Sequence, residues 1–330
     1  MYEVSSEQGR KLCDDALAIF RRIGNRQEEA YVLSLIADTM AWRHAEAKPL
    51  YEQSLEISRK VNDRSRTAGR LMDLGIMATV QGNLASAEGD LQESLRIYHE
   101  IGERNREALQ MSRLAIVFKW QGRLDEAEKL SQQAIEILKS VGETSVRGQV
   151  RQNLALIQME AGRLTEAEES MRLAMEEHGQ ASDLGSLGLA NVNLAEILAA
   201  EGKWAESRTA LGEAGKLAHW NLMPGEHVTA AILTQARLYS SDREFSAALR
   251  EAQRGCDEAQ RMDQGSLYMK ARLLLGEIEL RSGNQKTGRR HLQELEQEAE
   301  AKGFGLINDQ ARKALETQPP RLTAANSPTR

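Results

Sequence analysis

Aromatic side chains are scarce in this chain, at 4% of its 330 residues. An active site that stacks sugar rings on aromatic faces would be poorly supplied here. Cysteine is scarcer still: Cys13 and Cys256 stand far apart, and neither sits in a metal-like or redox-like spacing. That usage predicts a reduced, cytoplasmic setting rather than a disulfide framework. The first residues, Met1 to Glu7, offer neither a basic start nor an apolar run, so no secretory signal is expected. Nowhere does an apolar run approach the ~20 residues that span a bilayer. His44, His99, His178, His219, His227 and His291 form no metal-ligand pair at helical spacing. A glycine-rich phosphate loop and a nucleophile elbow are also missing. No catalytic residue, cofactor or metal is therefore expected, and acidic pairs such as Glu176-Glu177 read as solvent-facing. Charged residues make up 28% with both signs mixed, and the net charge is −6. That balance gives no sequence-wide attraction to nucleic acid or to an anionic membrane.

What is present is a repeat. Gln81-Gly82, Gln121-Gly122, Ala161-Gly162 and Glu201-Gly202 recur every 40 residues. Leu84, Leu124, Leu164 and Trp204 follow two places after each glycine, and Ala87, Ala127, Ala167 and Ser207 follow five places after. Upstream lie Gly75, Ala115, Ala155 and Ala195, each preceded by leucine. Beyond this centre the register drifts: Leu33, Ile36, Ala37 and Ala47 form an earlier, shorter unit, Ala236, Phe245 and Ala248 a sixth displaced by one, and Leu275-Gly276 with Gly283 a seventh.

Between landmarks the apolar residues recur at three and four. Leu84, Ala87, Leu91, Ser94, Leu95 and Tyr98 share one helical face, while Glu88, Glu93 and Arg96 lie elsewhere. Gly82 and Gly122 stand where a helix should end in a left-handed residue, and Gly24, Gly102 and Gly142 punctuate the other turn. Each unit then consists of two helices of ~17 residues, about 25 Å long. The small residues of the two helices mark where they cross closely.

This pattern resembles the tetratricopeptide repeat, over roughly residues 5–302. It is carried by Leu71-x-x-Leu74-Gly75 with Ala87 and Ser94, Met111-x-x-Leu114-Ala115-x-x-Phe118 with Ala127 and Ala134, and Leu154-Ala155 with Ala167 and Ala174. The period of 40 exceeds the usual ~34 and the closing proline is absent, as in the long arrays of bacterial multidomain regulators. The resemblance implies an all-α, right-handed superhelical solenoid of stacked antiparallel helix hairpins. Its expected parts are a half-repeat or capping helix over 1–23 and about seven hairpins over 24–302. A polar-faced capping helix over 303–317 and a disordered tail over 318–330 complete it. The half-formed start fits either a cap or continuation from a preceding domain.

In this family the first helices line a concave groove, and the residue before the Leu-Gly or Leu-Ala pair points into it. Carried over, those positions are Asp73, Arg113, Asn153 and Asn193, with Lys119, Trp120, Gln152, Glu196 and Arg237 as neighbours. Asparagine both donates and accepts, so it can grip an extended main chain whatever its side chains; its alternative role is to satisfy groups between adjacent helices. Trp204 reads as core, Trp120 as packing or partner contact, and the loop His219–Gly225 as a plain turn or a contact site. The full carboxylate-clamp pattern is absent, so a C-terminal Glu-Glu-Val-Asp-like peptide is not expected. The implied function is a scaffold binding a protein or extended peptide, free to self-associate through its terminal faces. Its alternatives are the sensor or regulatory arm of a bacterial signalling system and, more weakly, a helical-toroid enzyme.

Overall fold

A computed structural model describes residues 2–40, 44–181, 183–216 and 226–316. Trp42, the loop 219–225 and the tail 318–330 lie outside the described residues. Among those described there are sixteen α-helices and no strand. After α1 (Tyr2–Ile23) they alternate as first and second helices of hairpins. The first helices are α2 (Arg26–Asp38), α4 (Arg64–Gln81), α6 (Arg104–Trp120), α8 (Thr144–Glu160), α10 (Leu184–Ala200), α12 (Glu226–Ser241), α14 (Gly265–Arg281) and α16 (Gly305–Glu316). The second helices are α3 (His44–Lys60), α5 (Leu84–Glu100), α7 (Leu124–Val141), α9 (Leu164–Gln180), α11 (Trp204–Lys216), α13 (Phe245–Arg261) and α15 (Gln285–Lys302).

Local chemistry sets these boundaries. Asn25, Asp63 and Asp183 cap α2, α4 and α10 by accepting from the backbone N–H of Glu28, Arg66 and Ser186. At the other end Gly82 takes a left-handed φ of 83°, and the turn N–H groups close back on α4. Between caps, the helical face read from the sequence is the buried one: Leu84, Ala87, Leu91, Ser94 and Tyr98 are at most 2% exposed. No described helix is long and apolar enough to cross a membrane.

Within a hairpin the helices approach where side chains are small. A Cβ on Gly75 would sit 2.7 Å from Leu91 Cγ, and one on Gly276 would meet Leu292 Cγ at the same distance. Ala115 and Ala155 are fully buried at the equivalent place in the following units, as are Ala127 and Ala167 opposite them on the second helices. Ser207, where those units have alanine, donates its hydroxyl to the Ala195 carbonyl at 2.7 Å. That bond removes the cost of burying a hydroxyl there. Trp204 departs from its sequence reading: it is half-buried at the start of α11 rather than enclosed in the core. At the N-terminal end α1 packs on α2 through Leu17, yet leaves Leu12, Ile19 and Ile23 exposed.

The array does not run on as an open coil. It curves until α14 touches α4 and α16 touches α6. One apolar cluster joins Ala78, Leu114 and Trp120 to Met269, Phe304 and Ile307. The segment Gly303–Leu306 and helix α16, expected as a polar-faced cap, present Phe304, Leu306, Ile307 and Ala311 to that shared core.

Candidate functional site

Repeat register decides what faces the inside of the curve. Counting from Gly75, Ala115, Ala155, Ala195, Ala236 and Gly276, the next residue on each first helix is Ile76, Ile116, Leu156, Glu196, Arg237 and Glu277. This stripe is apolar on α4, α6 and α8, then alternates in charge on α10, α12 and α14. Arg113, Asn153 and Asn193 precede the stripe by three residues on α6, α8 and α10, which puts them on the same helical face.

Two adjoining cavities lie along this inner face. The first, of about 160 Å³, is lined by Lys119, Trp120, Gln152, Asn153, Asn193 and Glu196, together with residues of α4, α12 and α14. The second, of about 360 Å³, shares Glu160, Glu196 and Lys270 with the first and adds Arg237 and Glu277. Seven of the nine positions expected in the groove therefore border these cavities. Asp73 and Arg113 border neither.

The individual side chains differ in how much they have left to offer. Asn153 donates its amide N–H to Ser112 on the preceding repeat at 3.0 Å, which is the inter-helix role open to it. Asn193 is 6% exposed, lines the cavity and makes no hydrogen bond to another described residue, so its amide is the freer one. Gln152 is held by His178 Nε2 at 3.2 Å. Trp120 is 6% exposed and packs edge-on against Phe304, ring centroids 6.1 Å apart, with Lys119 Nζ 4.3 Å from its ring. Packing dominates its role.

Three charges across the groove, Lys270, Glu160 and Glu196, are already matched. Lys270 of α14 reaches Glu196 at 2.5 Å and Glu160 at 3.5 Å, and Gln310 of α16 donates to Glu160 at 2.8 Å. Burial alone would push the Glu196 carboxyl up, but Lys270 and Arg237 outweigh it and hold it below the usual carboxylate range. For Lys270 burial works downward, and Glu196 with Glu160 carries the ammonium above its ordinary value. Glu277 has no such partner: burial raises its carboxyl, and Arg237 and Arg281 offset that only in part.

Asp73 belongs to a separate buried network nearer the N-terminus. Its carboxylate lies 3.0 Å from Arg70, while Tyr51 donates to Asp38 at 2.7 Å beside it. Burial raises the Asp73 carboxyl to about 6, against the pull of Arg70.

Sequence reasoning missed Glu160, Lys270 and Glu277. Glu160 had a signal, because it stands 40 residues after Trp120 at the end of the next first helix. Glu277 shares the register of Glu196 and Arg237 once the one-residue drift is followed. Lys270 had none, since its role depends on α14 crossing to face α8. Among the described residues no group of three His, Cys, Asp or Glu side chains could hold a metal ion.

Several solved structures share this fold. A Rap protein complexed with Competence and Sporulation Factor superposes with a TM-score of 0.56 at 14% identity, covering 95% of this chain and 96% of that one. The apo form of RapI gives 0.60 at 11% identity, covering 87% and 99%. A STAND protein with a tetratricopeptide repeat sensor, PH0952 from Pyrococcus horikoshii, gives 0.50 at 16%, covering 94% of this chain and 50% of that one. At such identities the likeness is one of fold. A comparison with curated protein sequences finds no match. The MalT-like TPR region matches residues 30–315, and the chain belongs to that family of tetratricopeptide-type repeat proteins.

Proposed function

We propose that the chain binds a protein or an extended peptide along its concave face. The observation that supports this is the meeting of Lys119, Trp120, Gln152, Asn153, Asn193 and Glu196, from three successive first helices, around one cavity. Arg237 extends the same surface into the adjoining cavity, and Arg113 would extend it toward α4. Polar and charged groups interleaved with Ile116 and Leu156 suit a segment with both kinds of side chain. Mixed charge in the groove favours protein over nucleic acid or a membrane surface.

The sensor or regulatory-arm reading has its own support. The family is a MalT-like TPR region, and the repeats of PH0952 are described as a sensor. The Rap protein of the same fold was crystallised with Competence and Sporulation Factor. In this reading the groove occupant is the signal and the solenoid passes its arrival to an effector. A helical-toroid enzyme has no comparable support.

Crosslinking capture from native lysate would compare wild type, an Asn153→Ala/Asn193→Ala variant and a convex-face control, Glu206→Ala. A partner retained by wild type and control but lost from the double variant is expected. Equal capture by all three would remove the groove from consideration while leaving the fold intact.

A further inference from the structure

The turns that follow first helices look alike in sequence but not in surroundings. A Cβ added to Gly162 or Gly202 would meet nothing within 4 Å. One added to Gly82 would meet the Phe304 ring at 2.8 Å, and one added to Gly122 would meet the backbone of Gly305 and Leu306 at 3.1 Å. Facing those two turns are Gly265 and Gly305, the first residues of α14 and α16, again 40 apart. Neither has a left-handed φ. Any residue could hold that backbone, and the central first helices start with Arg64, Arg104, Thr144 and Leu184. Glycine at 265 and 305 answers a different demand. A Cβ there would lie 2.7 Å from the Gln81 carbonyl carbon or 2.9 Å from that of Gln121, and closer still to the oxygens.

Polar contacts reinforce the same junction. Ser266 donates its hydroxyl to the Thr79 carbonyl at 2.7 Å, and Gln81 donates to Asp263 at 2.6 Å, with His44 at 3.2 Å from the same carboxylate. Asp263 holds a left-handed φ of 52° at a turn position that is glycine at 102, 142 and 303. A residue with a Cβ is disfavoured there, and its carboxylate is what the junction uses. Farther in, Lys270 and Gln310 cross the groove to Glu160 and Glu196, so the arm already engages the groove's charges. Of the two cavities left between them, the first, about 160 Å³, falls short of the roughly 300–1,000 Å³ of an ordinary ligand site, and the second, about 360 Å³, lies at its lower edge.

We propose that the segment from Asp263 to α16 is an intramolecular clasp. It seats glycine-initiated helices on the Gln81-Gly82 and Gln121-Gly122 turns and holds the superhelix shut over its own groove. Closure and occupancy of the groove by an extended segment then compete. The competition rests on the groove reading above; the clasp does not.

The test uses the full chain and needs no partner. Gly265→Ala/Gly305→Ala drives the seats apart by steric contact, Asp263→Ala/Ser266→Ala removes the polar side-chain contacts without adding bulk, and Gly212→Ala, at a helical glycine with open space around it, is the control. Small-angle scattering reads the radius of gyration, and mass spectrometry reads acylation of Lys270 by an N-hydroxysuccinimide ester. Both clasp variants should keep wild-type helicity, expand measurably and acylate Lys270 several-fold faster, while the control matches wild type. Unchanged radius and acylation in both clasp variants would overturn the proposal. Loss of helical signal in both would also overturn it, because the junction would then be part of the fold rather than a releasable contact. Partner capture by the asparagine variants fails or succeeds independently of these readouts.

Discussion

Hairpins α4–α11 and the arm α12–α16 are made of the same unit, yet they solve different problems. In the central hairpins the 40-residue register is kept without slip, and each unit contacts its neighbours. In the arm the register slips by one residue at Ala236, and the first helices of the last two units start with glycine. The central part builds a wall by repetition. The arm uses the same packing inside its hairpins but gives up side chains at their ends to reach a distant part of the chain. Stacking against the next repeat needs only a shared pattern, whereas closing a superhelix needs individual residues at individual places.

The comparison can be attacked first where the two regions should be equal. Leu91 beneath Gly75 and Leu292 beneath Gly276 are both fully buried at the same point of their hairpins. Alanine at either should cost about 2–5 kcal/mol in urea unfolding. A loss below about 1 kcal/mol for Leu292→Ala alone would mean that the arm's hairpins are not packed like the wall's. Next in size is Ala127→Leu, which overfills a central hairpin and should cost about 1–3 kcal/mol. An unchanged melting curve would refute the crossing-point register.

A smaller effect separates the wall's buried network from the groove. Asp73 has its carboxyl raised to about 6 from an ordinary 3.8, so the native chain binds more protons than the unfolded chain between those values. Its contribution to stability therefore grows as pH falls from about 6 toward 4 and is lost as pH rises through 6. On the order of 2–3 kcal/mol of pH-dependent stability should vanish in Asp73→Asn, read by urea titrations at several pH values. Equal pH slopes for wild type and variant would contradict that assignment. The smallest effect should come from the surface: Arg59 bonds Glu93 across two repeats at 2.8 Å with both side chains exposed. Arg59→Ala should change stability by no more than about 1 kcal/mol. A larger loss would show that ion pairs between units, and not only apolar stacking, hold the repeats together.

Much of the wall was legible in the sequence because its determinants are local or repeated. Helix length, the left-handed turns at Gly82 and Gly122 and the buried face of α5 follow from spacings within 40 residues. Part of the cavity lining could be read too, since Asn153 and Asn193 inherit their orientation from the register. What escaped was set by contacts between residues more than 100 apart. Lys270 meets Glu160 and Phe304 meets Trp120 only because curvature accumulates over three and five repeats, and no local pattern encodes that sum. The two glycines at 265 and 305 did leave a trace, because they share a register and stand where central units tolerate arginine, threonine or leucine. Trp204 misled for another reason: it occupies a leucine position, but that position is itself only half-buried at Leu124 and Leu164.

The junction between wall and arm can be measured most directly as a distance. Spin labels on exposed Ser86 of α5 and Lys286 of α15 would report it by electron–electron resonance, in a background with Cys13 and Cys256 replaced. A single narrow distance distribution in the wild-type sequence, broadening in Asp263→Ala/Ser266→Ala, is the expected result. A broad distribution in the wild-type sequence would contradict a closed superhelix.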